Sequence, residues 1–332
     1  MKLSPTQREL LGWYDWSRRD LPWRDPEVTP WQILVSEFML QQTPVSRVEP
    51  IWRDWVARWP TPSATAAASA ADIVRAWGKL GYPRRAKRLH ECATVIARDH
   101  GDVVPDDVDV LLTLPGVGSY TARAVACFAY QQAVPVVDTN VRRVVARAVH
   151  GRADAAAASA VRDHADVSAL LPKDSSAHTF SAALMELGAT VCTARTPRCG
   201  LCPLSVCQWR SAGFPPSEGP ARRPQGYAGT DRQVRGRLMD VLRGSQVPVT
   251  RAQLDVAWLT TPSSATGRWT RCLPTGWWPR PATGDSRWPA KRASAQPGTI
   301  PPLADTAAVP HREPDVRHRA HINTLCGNRC RS

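Results

Sequence analysis

Four cysteines fall between Cys192 and Cys207, in the order Cys192-x6-Cys199-x2-Cys202-x4-Cys207, and they constrain this chain more than any other stretch. Four thiols so close in sequence converge only if something holds them. The x2 pair suits a metal chelate better than two unstrained disulfides. The spacing alone admits either zinc or an iron–sulfur cluster. The remaining cysteines, Cys92, Cys127, Cys272, Cys326 and Cys330, are scattered. A four-thiolate site belongs in a reducing compartment. No segment approaches the apolar length of a membrane span, and the opening MKLSPTQRELLGWYDW lacks a signal-peptide core. The expectation is therefore a cytoplasmic protein without a membrane partner.

The 332 residues suffice for two modest domains. Formal net charge is +14, which fits a polyanionic partner such as nucleic acid and a place at the nucleoid. Alanine-rich stretches at 64–71 and 153–160 show that codon bias in a GC-rich genome accounts for such a balance equally well.

Residues 4–210 read as a succession of short helices punctuated by Pro and Gly, without a period-2 pattern, so the fold class is all-α. Thr29-Pro30 opens a helix through Gln42, and Pro44 ends it. A second helix runs to about Trp59. Residues 83–100 form a basic amphipathic helix stopped by Gly101. Helices at 107–113 and 119–130 flank LPGVG; Asp138 precedes one ending at His150-Gly151; 155–170 and 176–188 lead into the cysteine loop. Residues 211–230 read as a linker. Residues 231–261 give a helix, a turn and a Thr-capped helix, the beginning of a winged-helix-like unit. Residues 262–332 carry ten prolines, four tryptophans and eleven Lys/Arg against four Asp/Glu, with no apolar periodicity. Such a stretch cannot bury enough surface to fold alone, and reads as a basic disordered tail or as translation in a shifted frame.

LPGVGSYTA at 114–122 has the form of a helix–hairpin–helix. The backbone at Gly116, Val117 and Gly118 and the amides opening the next helix can hold a DNA phosphate without regard to sequence. About twenty residues on comes VDTNVRR at 137–143. Together with LPWR at 21–24, SEFMLQQTPV at 36–45, GKLGYPRRAKRLH at 78–90, MELGATVC at 185–192 and the four-cysteine loop, these motifs make residues 8–210 resemble the helix–hairpin–helix DNA glycosylases with an iron–sulfur loop, and most closely their MutY-type, adenine-specific branch.

The resemblance implies two helical lobes, 25–130 with the hairpin and 1–24 plus 131–210 with the cysteines. It implies a 4Fe–4S cluster on Cys192, Cys199, Cys202 and Cys207, although the family more often has x5 before the last ligand. The partner it implies is double-stranded DNA carrying adenine opposite 8-oxoguanine or guanine, bound by a monomer. Asp138 matches the catalytic aspartate. A carboxylate beside the sugar stabilises the cation left when the glycosidic bond breaks, and an Asp before a helix is also an ordinary N-cap. Glu37 matches the acid that protonates N7 of adenine, and partial burial would keep its proton available. Asn140 positions groups around Asp138. Trp23, Arg24 and Glu186 match the adenine pocket. Gln42 and Tyr82 match residues that wedge into the duplex beside the extruded base; Pro83 stands where the family usually has a second tyrosine.

Tyr120 occupies the position of the lysine with which bifunctional relatives form a Schiff base. A phenol cannot form an imine, so the reaction class is a monofunctional hydrolase. Arg84, Arg85, Lys87, Arg88, Arg195 and Arg198 are expected near phosphates. Two other readings remain at this stage: an endonuclease III-like glycosylase/lyase for oxidised pyrimidines, opposed by Tyr120, and a non-catalytic DNA-binding module, opposed by the pair Glu37 and Asp138. The Phe-Ser-His element with which many family members read 8-oxoguanine is absent after residue 226.

Overall fold

Helix starts in this chain are written by side chains that satisfy the first free amides of a turn. Ser4 with Gln7, and Thr29 with Gln32, make reciprocal capping boxes, each followed by a proline at the first helical position. Asp107, Asp138 and Ser159 cap their helices with a side-chain oxygen that accepts from a first-turn amide, without the reciprocal bond from the third helical residue. In a computed structural model that describes residues 3–217, 230–245, 247 and 249–256, the chain is helical, with no strand among the described residues.

In chain order the helices are α1 (Pro5–Ser17), α2 (Pro30–Leu40), α3 (Val45–Arg58), α4 (Pro62–Ala66), α5 (Ala70–Trp77), α6 (Arg84–Asp99), α7 (Val108–Thr113), α8 (Ser119–Tyr130), α9 (Thr139–Ala148), α10 (Ala160–Leu170), α11 (Ala177–Thr190), α12 (Gln208–Ser211), α13 (Asp231–Gly244) and α14 (Arg251–Val256). Short 3-10 turns at Pro22–Arg24 and Cys199–Leu201 complete the list. Several expected boundaries move by two residues or more, among them the ends of α9 at Ala148 and α11 at Thr190. α2 stops at Leu40, before the expected Gln42, and α10 begins at Ala160 behind its Ser159 cap instead of at 155.

Two cores form. One gathers the inner faces of α2, α3, α5, α6 and α8 around Trp31, Trp52, Trp55, Trp59 and Trp77, with Leu34, Phe38 and Leu89 fully buried among them. Trp55 meets Trp59 and Trp77 edge-to-face, at 4.8 and 6.1 Å between ring centroids. The other packs α1 on α9 and α11 through Leu10, Trp13, Tyr14, Val141, Val144, Phe180, Leu184 and Leu187. α8 runs between them: its Ala122 and Val125 belong to the first core, while Ala124 and Cys127 pack with Val136 and Met185.

α13 and α14 are docked, not adrift. Val234, Leu238, Leu242, Val249 and Leu254 pack on Ala71 and Val74 of α5, and Arg75 donates to the Ser245 carbonyl. The tail at 262–332 lies outside the described residues. No helix among the described residues is long and apolar enough to cross a membrane.

Candidate active site and iron–sulfur loop

Glu37 sits on α2, one turn before its end, on the face that sinks into the core; only 5 % of its surface is exposed and Oε2 has no hydrogen-bond partner. Burial pushes its pKa up to about 7, the Tyr120 hydroxyl pulls it back, and the charge of Asp138 raises it further. The Tyr120 phenol, near the start of α8, is held far above its usual range by burial and by the fields of Glu37 and Asp138. Glu37, Tyr120 and Asp138 thus face one another, brought together by α2, the hairpin and the start of α9.

Asp138 performs two tasks at once. Oδ1 accepts from the Val141 amide as the N-cap of α9, and Oδ2 accepts from Asn140 Nδ2 at 2.8 Å. Burial raises its pKa; the Val141 amide, Asn140 and the charge of Arg143 work the other way. Arg143 in turn donates to Asn140 Oδ1, to the Gly188 carbonyl and to the Cys192 carbonyl, so a single side chain joins the aspartate's cap to the cysteine loop. Gly188 permits this. A Cβ there would meet the Asn140 Cβ at 2.8 Å and its carbonyl at 3.0 Å.

Glu186 is fully buried and ion-paired twice: Arg19 Nε and Nη2 bind its two oxygens at 2.6 and 3.0 Å, and Arg24 Nη2 reaches Oε2 at 2.8 Å. Burial alone would raise its pKa, but the two guanidiniums hold it below the ordinary carboxylate value. Arg24 also lies over the Tyr14 ring. Arg19 went unnoticed at the sequence level because its partner is 167 residues away. Trp23 leans edge-to-face on Trp52, 5.8 Å between centroids, as part of the first core's rim.

In the hairpin, Gly116 has φ +81°, and a Cβ there would lie 2.7 Å from Arg88 Cβ, so this glycine also serves the packing against α6. Val117 is buried and its amide already donates to the Leu114 carbonyl. Gly118, the exposed N-cap of α8, has open space around it and no side-chain cap, which leaves the start of that helix facing outward. Gln42 and Tyr82 are both exposed, each in left-handed backbone with φ of 54° and 47°.

The basic face of α6 is not uniform. Arg84 is exposed, and Lys87 and Arg88 share Glu91 at 3.6 and 3.0 Å. Arg85 departs from expectation: both its terminal nitrogens are spent on the protein, on the carbonyls of Phe38, Met39, Gln41, Leu80 and Gly81 and on Thr43 Oγ1. It is not available to a phosphate. Arg198 stays exposed, one of its terminal nitrogens donating to the Thr190 carbonyl.

Cys192, Cys199, Cys202 and Cys207 line one pocket with Arg147, Val191, Trp209 and Arg210. Among the described residues no group of three His, Cys, Asp or Glu is close enough to hold one metal ion. Four thiols lining one pocket are the donor set a 4Fe–4S cluster takes, one to each iron. Arg147, buried in α9, donates to Cys192 Sγ at 3.5 Å and to the carbonyls of Ala153, Thr193 and Ala194, and lies 4.7 Å over the Trp209 ring. A buried cation there offsets the negative charge of four thiolates.

The fold and the carboxylate pair define a helix–hairpin–helix glycosylase with an iron–sulfur loop. Residues 35–165 match the family described as HhH-GPD superfamily base excision DNA repair protein, and residues 192–205 match the iron–sulfur binding domain of endonuclease III. Curated relatives include an adenine DNA glycosylase of Mycobacterium tuberculosis, 79 % identical over 251 residues that cover 76 % of this chain and 83 % of that protein. The adenine DNA glycosylase of Mycolicibacterium smegmatis is 74 % identical over 79 % of this chain and 88 % of its own length. That of Homo sapiens is 40 % identical over 60 % of this chain and 38 % of its own. A thermostable thymine-DNA glycosylase superposes with a TM-score of 0.55 at 26 % identity, covering 62 % of this chain and 95 % of that one. An endonuclease III trapped on DNA does so at 0.55 with 21 % identity, a likeness of fold. The chain belongs to the adenine DNA glycosylase family of base excision repair, and its four-cysteine loop is the site of a 4Fe–4S cluster.

Proposed function

We propose that this chain is a monofunctional enzyme that hydrolyses the N-glycosidic bond of adenine paired with 8-oxoguanine or guanine in double-stranded DNA. The observation that carries this reading is Glu37, a buried carboxyl with an unpartnered oxygen, its pKa raised to about 7 by burial, with the Tyr120 hydroxyl and the Asp138 charge both acting on it.

Adenine is a poor leaving group as an anion. Glu37, protonated at neutral pH by its burial, would deliver its proton to N7 as the C1′–N9 bond stretches. Asp138, fixed by the Val141 amide and Asn140, would lie against the positive charge growing on the sugar, either stabilising it electrostatically or bonding it briefly as in retaining glycosidases. Tyr120 offers no amine, so release of the base ends in water addition and leaves the strand uncut. Arg24, with Arg19 holding Glu186, would line the extruded adenine's pocket, while Gln42 and Tyr82 would enter the duplex that it leaves. When bound, the cluster supplies four iron–thiolate bonds that lock the loop between Cys192 and Cys207.

Single-turnover assays on two duplexes test this. Strand scission of an A:8-oxoguanine duplex only after alkali is the expected result. Scission of a duplex with an oxidised pyrimidine, without alkali, would make the protein a glycosylase/lyase; binding with neither reaction would leave a non-catalytic module.

A further inference from the structure

At the end of α2, the helix that carries Glu37, the C-cap residue Gln41 makes no capping hydrogen bond of its own, and of the last carbonyls only Leu40 takes a backbone amide, that of Thr43 at 3.2 Å. The free carbonyls of its last turn are instead taken by Arg85 of α6. Nη1 donates to Phe38 and Met39 at 2.9 Å and to Gln41 at 2.7 Å. Nη2 turns the other way, to Thr43 Oγ1 at 2.9 Å and to the carbonyls of Leu80 and Gly81 at 3.1 and 3.2 Å. Thr43 Oγ1 itself donates toward Leu80 O at 3.2 Å, and the guanidinium lies over the rings of Trp77 and Tyr82. No carboxylate is ion-paired with Arg85 among the described residues, so its charge rests on carbonyl dipoles at a helix C-terminus.

Each of the two segments thus joined carries a non-glycine residue in left-handed backbone, as Asp102, Gln131 and Phe214 do elsewhere. Gln42 follows Gln41 at φ 54°, and Gly81 and Tyr82 stand at φ 81° and 47°. Residues other than glycine adopt such angles only when their surroundings enforce them. The exposed side chains of Gln42 and Tyr82 have few partners of their own, so the enforcement comes through the carbonyls beside them.

We propose that Arg85 is a positioning residue that sets Gln42 and Tyr82 as one paired probe of the duplex and ties that probe to the helix bearing Glu37. The proposal rests on the reading of Gln42 and Tyr82 as duplex-wedging residues. A lysine could hold one of the two segments but not both, since the fork of donors is what spans them.

The test uses the full chain with its cluster and an A:G duplex carrying 2-aminopurine beside the base opposite adenine, whose fluorescence rises as that base is unstacked. Arg85→Lys should retain iron and an unchanged salt dependence of binding, yet lose the fluorescence rise and about tenfold or more of the single-turnover rate at saturating enzyme. In a Gln42→Ala/Tyr82→Ala background the same change should cost little further, because it acts through those two side chains. A full additional loss in that background, or a normal signal and rate for Arg85→Lys alone, would overturn the proposal. If the double variant itself unstacks and excises normally, the wedging assignment falls, and the proposal with it. Should Arg85→Lys not fold, Thr43→Val keeps the guanidinium and removes one of its acceptors. It should show the same losses in smaller measure, and no loss of either readout would count against the proposal.

Discussion

At the scale of single residues, Glu37 ties activity and stability to one titration. Its pKa is raised in the folded state from the ordinary glutamate value of 4.5 to about 7. Between those values the folded protein binds more protons than the unfolded chain, so Glu37's contribution makes stability fall as pH rises, by about 3 kcal/mol once pH passes 7. Single-turnover excision should fall across the same range as the acid loses its proton. Glu37→Gln should therefore abolish excision while raising the melting temperature at pH 8 more than at pH 5; an unchanged difference between the two pH values would show that Glu37 titrates normally. Asp138→Asn leaves the cap of α9 in place but removes the negative charge. It should cost roughly a hundredfold or more in release of adenine, with duplex binding retained by gel shift.

Helix by helix, much was legible in the chain. The caps at Thr29, Asp107 and Asp138 announced α2, α7 and α9 because each is a local contact of two or three residues. What escaped reading is what depends on a partner far away. The stop of α2 at Leu40, and the diversion of Arg85 from DNA, both come from one guanidinium reaching back more than forty residues to carbonyls that carry no sequence signature. Arg19 is another such case. Gly188 was visible only as part of a motif, and its reason emerges from the packing of α11 on α9 at Asn140. Gly188→Ala should push the two helices apart, costing about 1–3 kcal/mol in stability by denaturant melts and about a hundredfold in excision by displacing Asp138. The cluster loop has a parallel test at Cys207, beyond the matched 192–205 segment but in the same pocket. Iron analysis should find four irons in the intact protein, and Cys207→Ser should lose iron and weaken DNA binding; stoichiometric zinc in the intact protein would refute the assignment.

Taken whole, the molecule places all of its proposed chemistry before residue 208, and α13 and α14 against α5. Shortening the chain after Val256 should leave single-turnover excision intact and reduce salt-sensitive, nonspecific binding, since it removes a strongly basic segment. Shortening it after Ser217 also strips the cover from Ala71 and Val74 and should lower solubility, measured by light scattering, although excision by the soluble fraction should persist.

The tryptophans divide unevenly between the two cores. Of the nine that remain in a chain ending at Val256, six (Trp23, Trp31, Trp52, Trp55, Trp59 and Trp77) belong to the first core or its rim, while the second core encloses only Trp13. The cluster, whose colour reports on its own loop, sits on the second. Ultraviolet emission and visible absorbance therefore watch different halves of the same molecule, and a heat or denaturant titration followed in both channels would resolve whether the halves come apart together or one after the other.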